Sequence, residues 1–213
     1  MIIWVLSVWA FVFGVLAIRA HYKGPRFLVY IFRPITMAVI ISLVLEAGSQ
    51  ARPDYRYAIA AGLVISLAGD VFMILRKKRF LEGLFCFLIA QVCYTFAFLS
   101  GIYLKFSSWP TLPLLIFTVL VVLILHPHLG KMRVPVFLYI FVIITMARAA
   151  LERAIQLPGT AALAAAAGGV LFVISDFLVA FDRFVKPSRS AQAFILSAYF
   201  TAQWLIALSV CLR

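Results

Sequence analysis

Apolar residues in this chain come in runs of about twenty, broken by short clusters of Lys, Arg, Pro and Gly. A helix rises about 1.5 Å per residue and a bilayer core is about 30 Å thick, so each run is long enough to cross it. The punctuation predicts eight transmembrane helices, at 2–18, 28–46, 56–75, 80–103, 109–126, 134–152, 159–181 and 190–212. No ten-residue alternation of polar and apolar positions points to a membrane barrel. The expected fold is all-α, a polytopic helical membrane protein whose residues 1–213 form a single domain. Small residues, Gly62, Ser66 and Gly69 on the third helix and the run Ala161 to Gly169 on the seventh, mark close helix contacts.

Composition agrees with this pattern, since 66% of the residues are hydrophobic and only 12% charged. A soluble domain of this length has no interior able to hide so much apolar surface. The first run has no basic segment before it and is followed by Arg19, Lys23 and Arg26, so it reads as a helix rather than a cleavable signal. The net charge of +12 changes the picture only through its distribution. Thirteen of the 19 Lys and Arg fall in the first, third, fifth and seventh turns, with Arg33 counted in the first, and six on the other side. The positive side is cytoplasmic, which puts both termini on the non-cytoplasmic side and the protein in a membrane of the bacterial inner (cytoplasmic) type. Bases placed this way address membrane lipids, and no nucleic acid partner is expected. Cys86, Cys93 and Cys211 form no disulfide framework, because the first two lie seven apart on one helix. Nothing here specifies an oligomeric state.

Two carboxyls break the apolar pattern. Asp70 lies in AAGLVISLAGDVFMIL and Asp176 in AAAAGGVLFVISDFLVAF. A carboxyl at membrane depth is costly and by default functional. Each lies six residues before the charge that ends its helix, Arg76 or Asp182, so both sit roughly 9 Å inside the same boundary. Equal depth lets them share one site. Further polar residues lie above the aspartates, toward mid-membrane: Ser66 one turn before Asp70, Ser175 beside Asp176, Gln91 with Tyr94, and Tyr199 with Gln203. The expected arrangement is a polar-floored cavity near the cytoplasmic leaflet. Glu46, Arg148, Glu152 and Arg153, at helix ends on the far side, are expected to be solvated or snorkelling.

Several chemistries are excluded. His21, His126 and His128 lie in or beside turns, which leaves no intramembrane Ser–His dyad and no three-His zinc site. Two carboxylates with amides are a thin ligand set, so neither metal nor cofactor is expected. Intramembrane aspartyl peptidases carry G-x-G-D and a partner Y-D; here the segments are Leu67-Ala68-Gly69-Asp70 and Ser175-Asp176.

The motifs S-L-A-G-D (66–70), F-x-x-G-x-x-x-F (80–87) and Q-x-x-Y-x-x-x-F (91–98) resemble the YhhN family of membrane proteins. So do G-G-V-L-F-V-I-S-D (168–176), R-F (183–184), Y-F-T-A-Q-W-L-I-A-L (199–208) and the opening Arg33-Pro34-Ile35-Thr36-Met37. The likeness runs in order through nearly the whole chain. It implies eight helices and lysoplasmalogenase activity, the hydrolysis of the vinyl ether of a lysophospholipid to a fatty aldehyde and a glycerophospho-alcohol. One departure is Gln91, where the family commonly has His; Gln does not exchange protons at neutral pH as His does.

Vinyl ether hydrolysis needs an acid to protonate the β-carbon and an anion or base for the resulting oxocarbenium ion and the water that adds to it. Two carboxyls in a dry site divide into one protonated and one ionised member, which meets both needs. Asp70 and Asp176 are therefore the catalytic candidates, with the roles unassigned. Ser66, Gln91, Tyr94, Ser175, Arg183, Tyr199 and Gln203 are candidates for substrate binding. The lipid phosphate would meet Arg76, Lys77, Lys78, Arg79, Arg183 or Lys186. A carboxyl pair also suits a proton-coupled lipid or small-molecule transporter, which stands as the alternative.

Overall fold

The computed structural model describes residues 2–47, 52–75, 79–103, 109–157, 159–188 and 190–212. Among these it has eight α-helices, each with its adjoining turn long and apolar enough to cross a membrane. They are α1 (Ile2–Lys23), α2 (Arg26–Glu46), α3 (Pro53–Leu75), α4 (Phe80–Leu99), α5 (Thr111–Leu125), α6 (Arg133–Gln156), α7 (Thr160–Phe184) and α8 (Ala191–Cys211). The protein is an integral membrane protein of eight spanning helices.

The helices outrun the apolar stretches at several ends, because backbone hydrogen bonding continues after hydropathy stops. Helix α1 carries Arg19 and Lys23, and α6 runs on to Gln156. Helix α4 stops earlier than hydropathy suggests; Gly101, with φ of +79°, turns the chain two residues after its end. Arg33 belongs to no turn. It lies inside α2, immediately before Pro34, and this corrects its place in the charge count.

Consecutive helices pair as hairpins, α1 with α2, α3 with α4, and α7 with α8, while α6 packs between α4 and α7. Helices α2, α3 and α8 close the other side of the core. Small residues let these backbones approach. A Cβ on Gly62 would fall 2.3 Å from the Tyr94 ring, and one on Gly168 would fall 3.0 Å from the Ala202 carbonyl oxygen. The centre is aromatic: Phe172 meets Phe87, Tyr94 and Tyr199 at ring separations of 6.5, 6.1 and 5.9 Å. Helix α5 is different. It touches mainly α6 and α7, and only Val121 and Leu125 of its length are buried.

The end of the bundle opposite the basic turns holds a buried charge network. Arg148 Nη2 donates to Glu152 Oε2 at 2.7 Å, Arg148 Nε donates to Thr111 Oγ1 at 2.9 Å, and Glu152 is 1% exposed. Arg153 stacks 4.4 Å over the Tyr55 ring and donates to the carbonyls of Phe98 and Ser100. Solvated side chains were the expectation for Arg148, Glu152 and Arg153; only Glu46 is exposed. The other three turn inward because an opposite charge, an aromatic face or free carbonyls replace water there.

Candidate active site

Asp70 sits on α3 with no exposed surface, and each of its oxygens accepts a hydrogen bond. Arg33 Nη2 donates to Oδ1 at 2.9 Å, and the Tyr199 hydroxyl donates to Oδ2 at 2.7 Å. The carboxyl thus ties α3 to α2 and to α8. A buried carboxylate requires such compensation, because an unpaired charge out of water is far costlier than a paired one.

Asp176 sits on α7 and is half-buried. Two donors converge on its Oδ2, the Tyr139 hydroxyl from α6 and Gln91 Nε2 from α4, the latter at 3.1 Å. Gln91 Nε2 also donates to the Tyr139 oxygen at 2.7 Å, closing a three-membered ring of polar groups. Gln91 Oε1 is buried with no partner among the described residues.

Both carboxyls line one cavity of about 90 Å³, room for several waters. Arg33, Tyr139, Ser175 and Tyr199 share its polar end. Apart from Thr118, the rest of its lining is apolar and includes Phe117, Val121 and Leu125 of α5 and the rings of Phe80 and Phe184, which meet edge to face at 6.0 Å. The Arg183 guanidinium lies exposed, 4.6 Å over the Phe80 ring. Arg79 stacks similarly, 5.9 Å over Phe72, and Lys186 is exposed. Arg76, Lys77 and Lys78 lie outside the described residues.

The candidates from sequence therefore separate into layers. Asp70, Asp176, Ser175 and Tyr199 line the cavity, although the Ser175 hydroxyl is engaged with the Ile195 carbonyl at 3.2 Å. Gln91 stands behind Asp176. Ser66, Tyr94 and Gln203 do not reach the cavity. The Tyr94 hydroxyl donates to Gln203 Oε1 at 2.8 Å and lies 3.4 Å from Ser66 Oγ, a fully buried chain joining α3, α4 and α8. Ser66, Gln91, Tyr94 and Gln203, expected at the substrate, thus stand behind the cavity wall rather than on it. None of the three histidines lines the cavity. Among the described residues no cluster of His, Cys, Asp or Glu could hold a metal ion.

Two residues of the polar end were not singled out from sequence. Arg33 carried a usable signal: a charge several residues inside a predicted span calls for a partner by the same cost that marks the aspartates. Tyr139 carried none, since a tyrosine in an apolar run reads as ordinary core.

Chemically, the cavity offers two carboxyls, two phenols and one guanidinium in a lining that is otherwise mostly apolar. That suits an amphiphile with its reacting bond near one end, and proton transfer to or from it.

The family model described as the YhhN family matches residues 28–210. A protein of Escherichia coli O6:H1 named "Uncharacterized membrane protein YhhN" is 29% identical over 208 residues, 97% of this chain and 96% of that protein. "Lysoplasmalogenase TMEM86A" of Bos taurus is 35% identical over 158 residues, 71% of this chain and 64% of that protein. "Lysoplasmalogenase TMEM86B" of Rattus norvegicus is 30% identical over 178 residues, 83% of this chain and 70% of that protein. No solved structure matches the chain at comparable significance.

Proposed function

The chain belongs to the YhhN family, and from that premise we propose that it is a membrane hydrolase of the lysoplasmalogenase kind, acting on the vinyl ether of a lysophospholipid through Asp70 and Asp176. One observation carries this reading: two carboxyls from helices distant in sequence line a single, mostly apolar cavity. The names of the mammalian relatives supply the substrate class.

The reaction fits such a cavity. A single alkenyl chain follows the apolar passage under α5, with the ether oxygen and β-carbon at the carboxyl end. Protonation of the β-carbon gives an oxocarbenium ion, water adds, and the hemiacetal collapses to aldehyde and alcohol. Low-dielectric surroundings make each charge–charge and charge–dipole contact count for more than in water. The headgroup phosphate meets Arg183, Arg79 or Lys186 beside Phe80 and Phe184, and the positive charge of those turns supports a cytoplasmic side, in a bacterial inner membrane, for that end of the bundle.

Purified protein in detergent, given a panel of 1-alkenyl lysophospholipids, tests this by mass spectrometry of the products. Fatty aldehyde and the matching glycerophospho-alcohol in equal amounts are expected. A proton-coupled transporter makes neither in detergent and moves lipid only across a sealed membrane.

A further inference from the structure

We infer that Asp176 alone carries the proton through this reaction, and that Arg33 holds Asp70 as a fixed carboxylate that never exchanges one. The inference rests on the hydrolase reading above and divides labour between its two carboxyls.

The geometry of the two side chains is unequal. Asp70 is fully buried, one oxygen committed to a guanidinium and the other to a phenol. Its charge is matched by that of Arg33, and neither oxygen is left for a substrate. Asp176 is half-buried at the cavity wall, with no cation paired to it among the described residues. Both its donors aim at Oδ2. An oxygen that accepts two hydrogen bonds is a poor place for a proton, so the proton belongs on Oδ1, the oxygen left for the cavity. The other ionisable groups around that cavity are Tyr139 from α6, Tyr199 from α8, and the Arg33–Asp70 pair from α2 and α3; α4 and α5 add none to its described lining. Tyr199 spends its O–H on Asp70. Its oxygen, a neutral lone-pair donor on a residue that lines the cavity, is placed to face a cation there.

The proton inventory closes on one carboxyl. Asp176 Oδ1–H protonates the β-carbon; the π pair forms the new C–H bond and leaves an oxocarbenium ion. Water bonds to the α-carbon and returns a proton to the Asp176 carboxylate, giving the hemiacetal. Asp176 then protonates the ether oxygen as the C–O bond breaks, and takes the proton of the hemiacetal hydroxyl. One water is consumed and Asp176 ends as it began. Arg33 and Asp70 are positioning residues, fixing the Tyr199 oxygen and keeping the charge behind it balanced.

The test is a second-site rescue read alongside pH profiles. Asp70→Asn strands the Arg33 cation beside a forming cation, and its aldehyde release falls about 100-fold. Arg33→Gln added to Asp70→Asn removes that cation and restores at least about tenfold of the loss. Asp176→Asn keeps its loss of about 10²–10⁴-fold with or without Arg33→Gln. The wild-type rate falls with rising pH through one ionisation and shows no acidic limb; the double variant keeps that shape, which mere repair of the fold does not guarantee. A folded double variant as inactive as Asp70→Asn overturns the inference. So does a wild-type acidic limb, a measurement that needs no variant to fold. Aldehyde release by Asp176→Asn within about tenfold of the wild-type rate also overturns it while leaving the activity itself standing. Absence of aldehyde from every lysoplasmalogen with wild-type protein defeats the hydrolase reading, and the inference with it.

Discussion

Tyr139 and Gln91, on α6 and α4, both donate to one oxygen of Asp176 on α7, and Gln91 also donates to the Tyr139 oxygen at 2.7 Å. Three helices are thus fastened through a single carboxylate oxygen, and the other oxygen is left to the cavity. The first two predictions follow from that relationship.

Asp176→Asn preserves the side-chain volume and an oxygen able to accept from Tyr139 and Gln91, but it cannot supply an acidic proton. Aldehyde formation by the purified variant is expected to fall by about 10²–10⁴-fold, the usual worth of a positioned acid, with KM for the lysolipid little changed. Product mass spectrometry on matched amounts of folded protein checks this.

Tyr139→Phe keeps the ring that lines the cavity and removes one hydrogen bond to Asp176. A bond of about 1.4 kcal/mol corresponds to about tenfold in kcat. Gln91 then loses its acceptor on α6 as well, so Tyr139→Phe combined with Gln91→Leu should cost less than the product of the two single losses. Initial rates of the three variants decide it.

Arg148→Met strands Glu152, which is 1% exposed, without its ion-pair partner. Breaking a buried pair costs about 3–5 kcal/mol, or about 10 °C in the unfolding midpoint for a chain of this size. Replacing both residues, Arg148→Met with Glu152→Leu, should recover most of that. Thermal unfolding in detergent measures it, and the initial rate at low temperature should not move, because the network lies at the end of the bundle away from the cavity.

Gly62→Ala would put a methyl 2.3 Å from the Tyr94 ring, which is fully buried and donates to Gln203. Displacing that ring should cost about 1–3 kcal/mol. Gly14→Ala is the matched comparison: its Cβ meets Phe200 at 3.6 Å, an ordinary contact, and the higher helix propensity of Ala should leave stability equal or slightly greater. Unfolding midpoints of the two variants, measured side by side, separate the packing effect from a general intolerance of alanine.

The eight helices were legible because hydropathy over twenty residues is a local property with one dominant cause. Asp70 and Asp176 were legible for a related reason: a carboxyl among apolar residues announces its own cost. Partners were harder to read. Arg33 and Tyr139 take their meaning from helices brought near by folding, and the Arg148–Glu152 pair, although within one helix, is buried only because neighbouring helices cover it. Ser66, Tyr94 and Gln203 show a subtler gap. Spacing along a helix assigns a residue to a face and a depth, but several such layers stack inside a bundle, and these three fall one layer behind the cavity wall. Charge counting likewise places Arg33 by its neighbours in sequence, whereas the fold places it by its attraction to Asp70.

Helix α5 forms one wall of the cavity while committing only Val121 and Leu125 to the interior. Most of its circumference is therefore solvated by acyl chains, and the compartment beneath it is bounded in part by the fluid around the protein rather than by the protein alone. If the protein turns over a lipid in that compartment, chain saturation and leaflet tension join the side chains in shaping it, and a micelle and a stiff bilayer wall it differently.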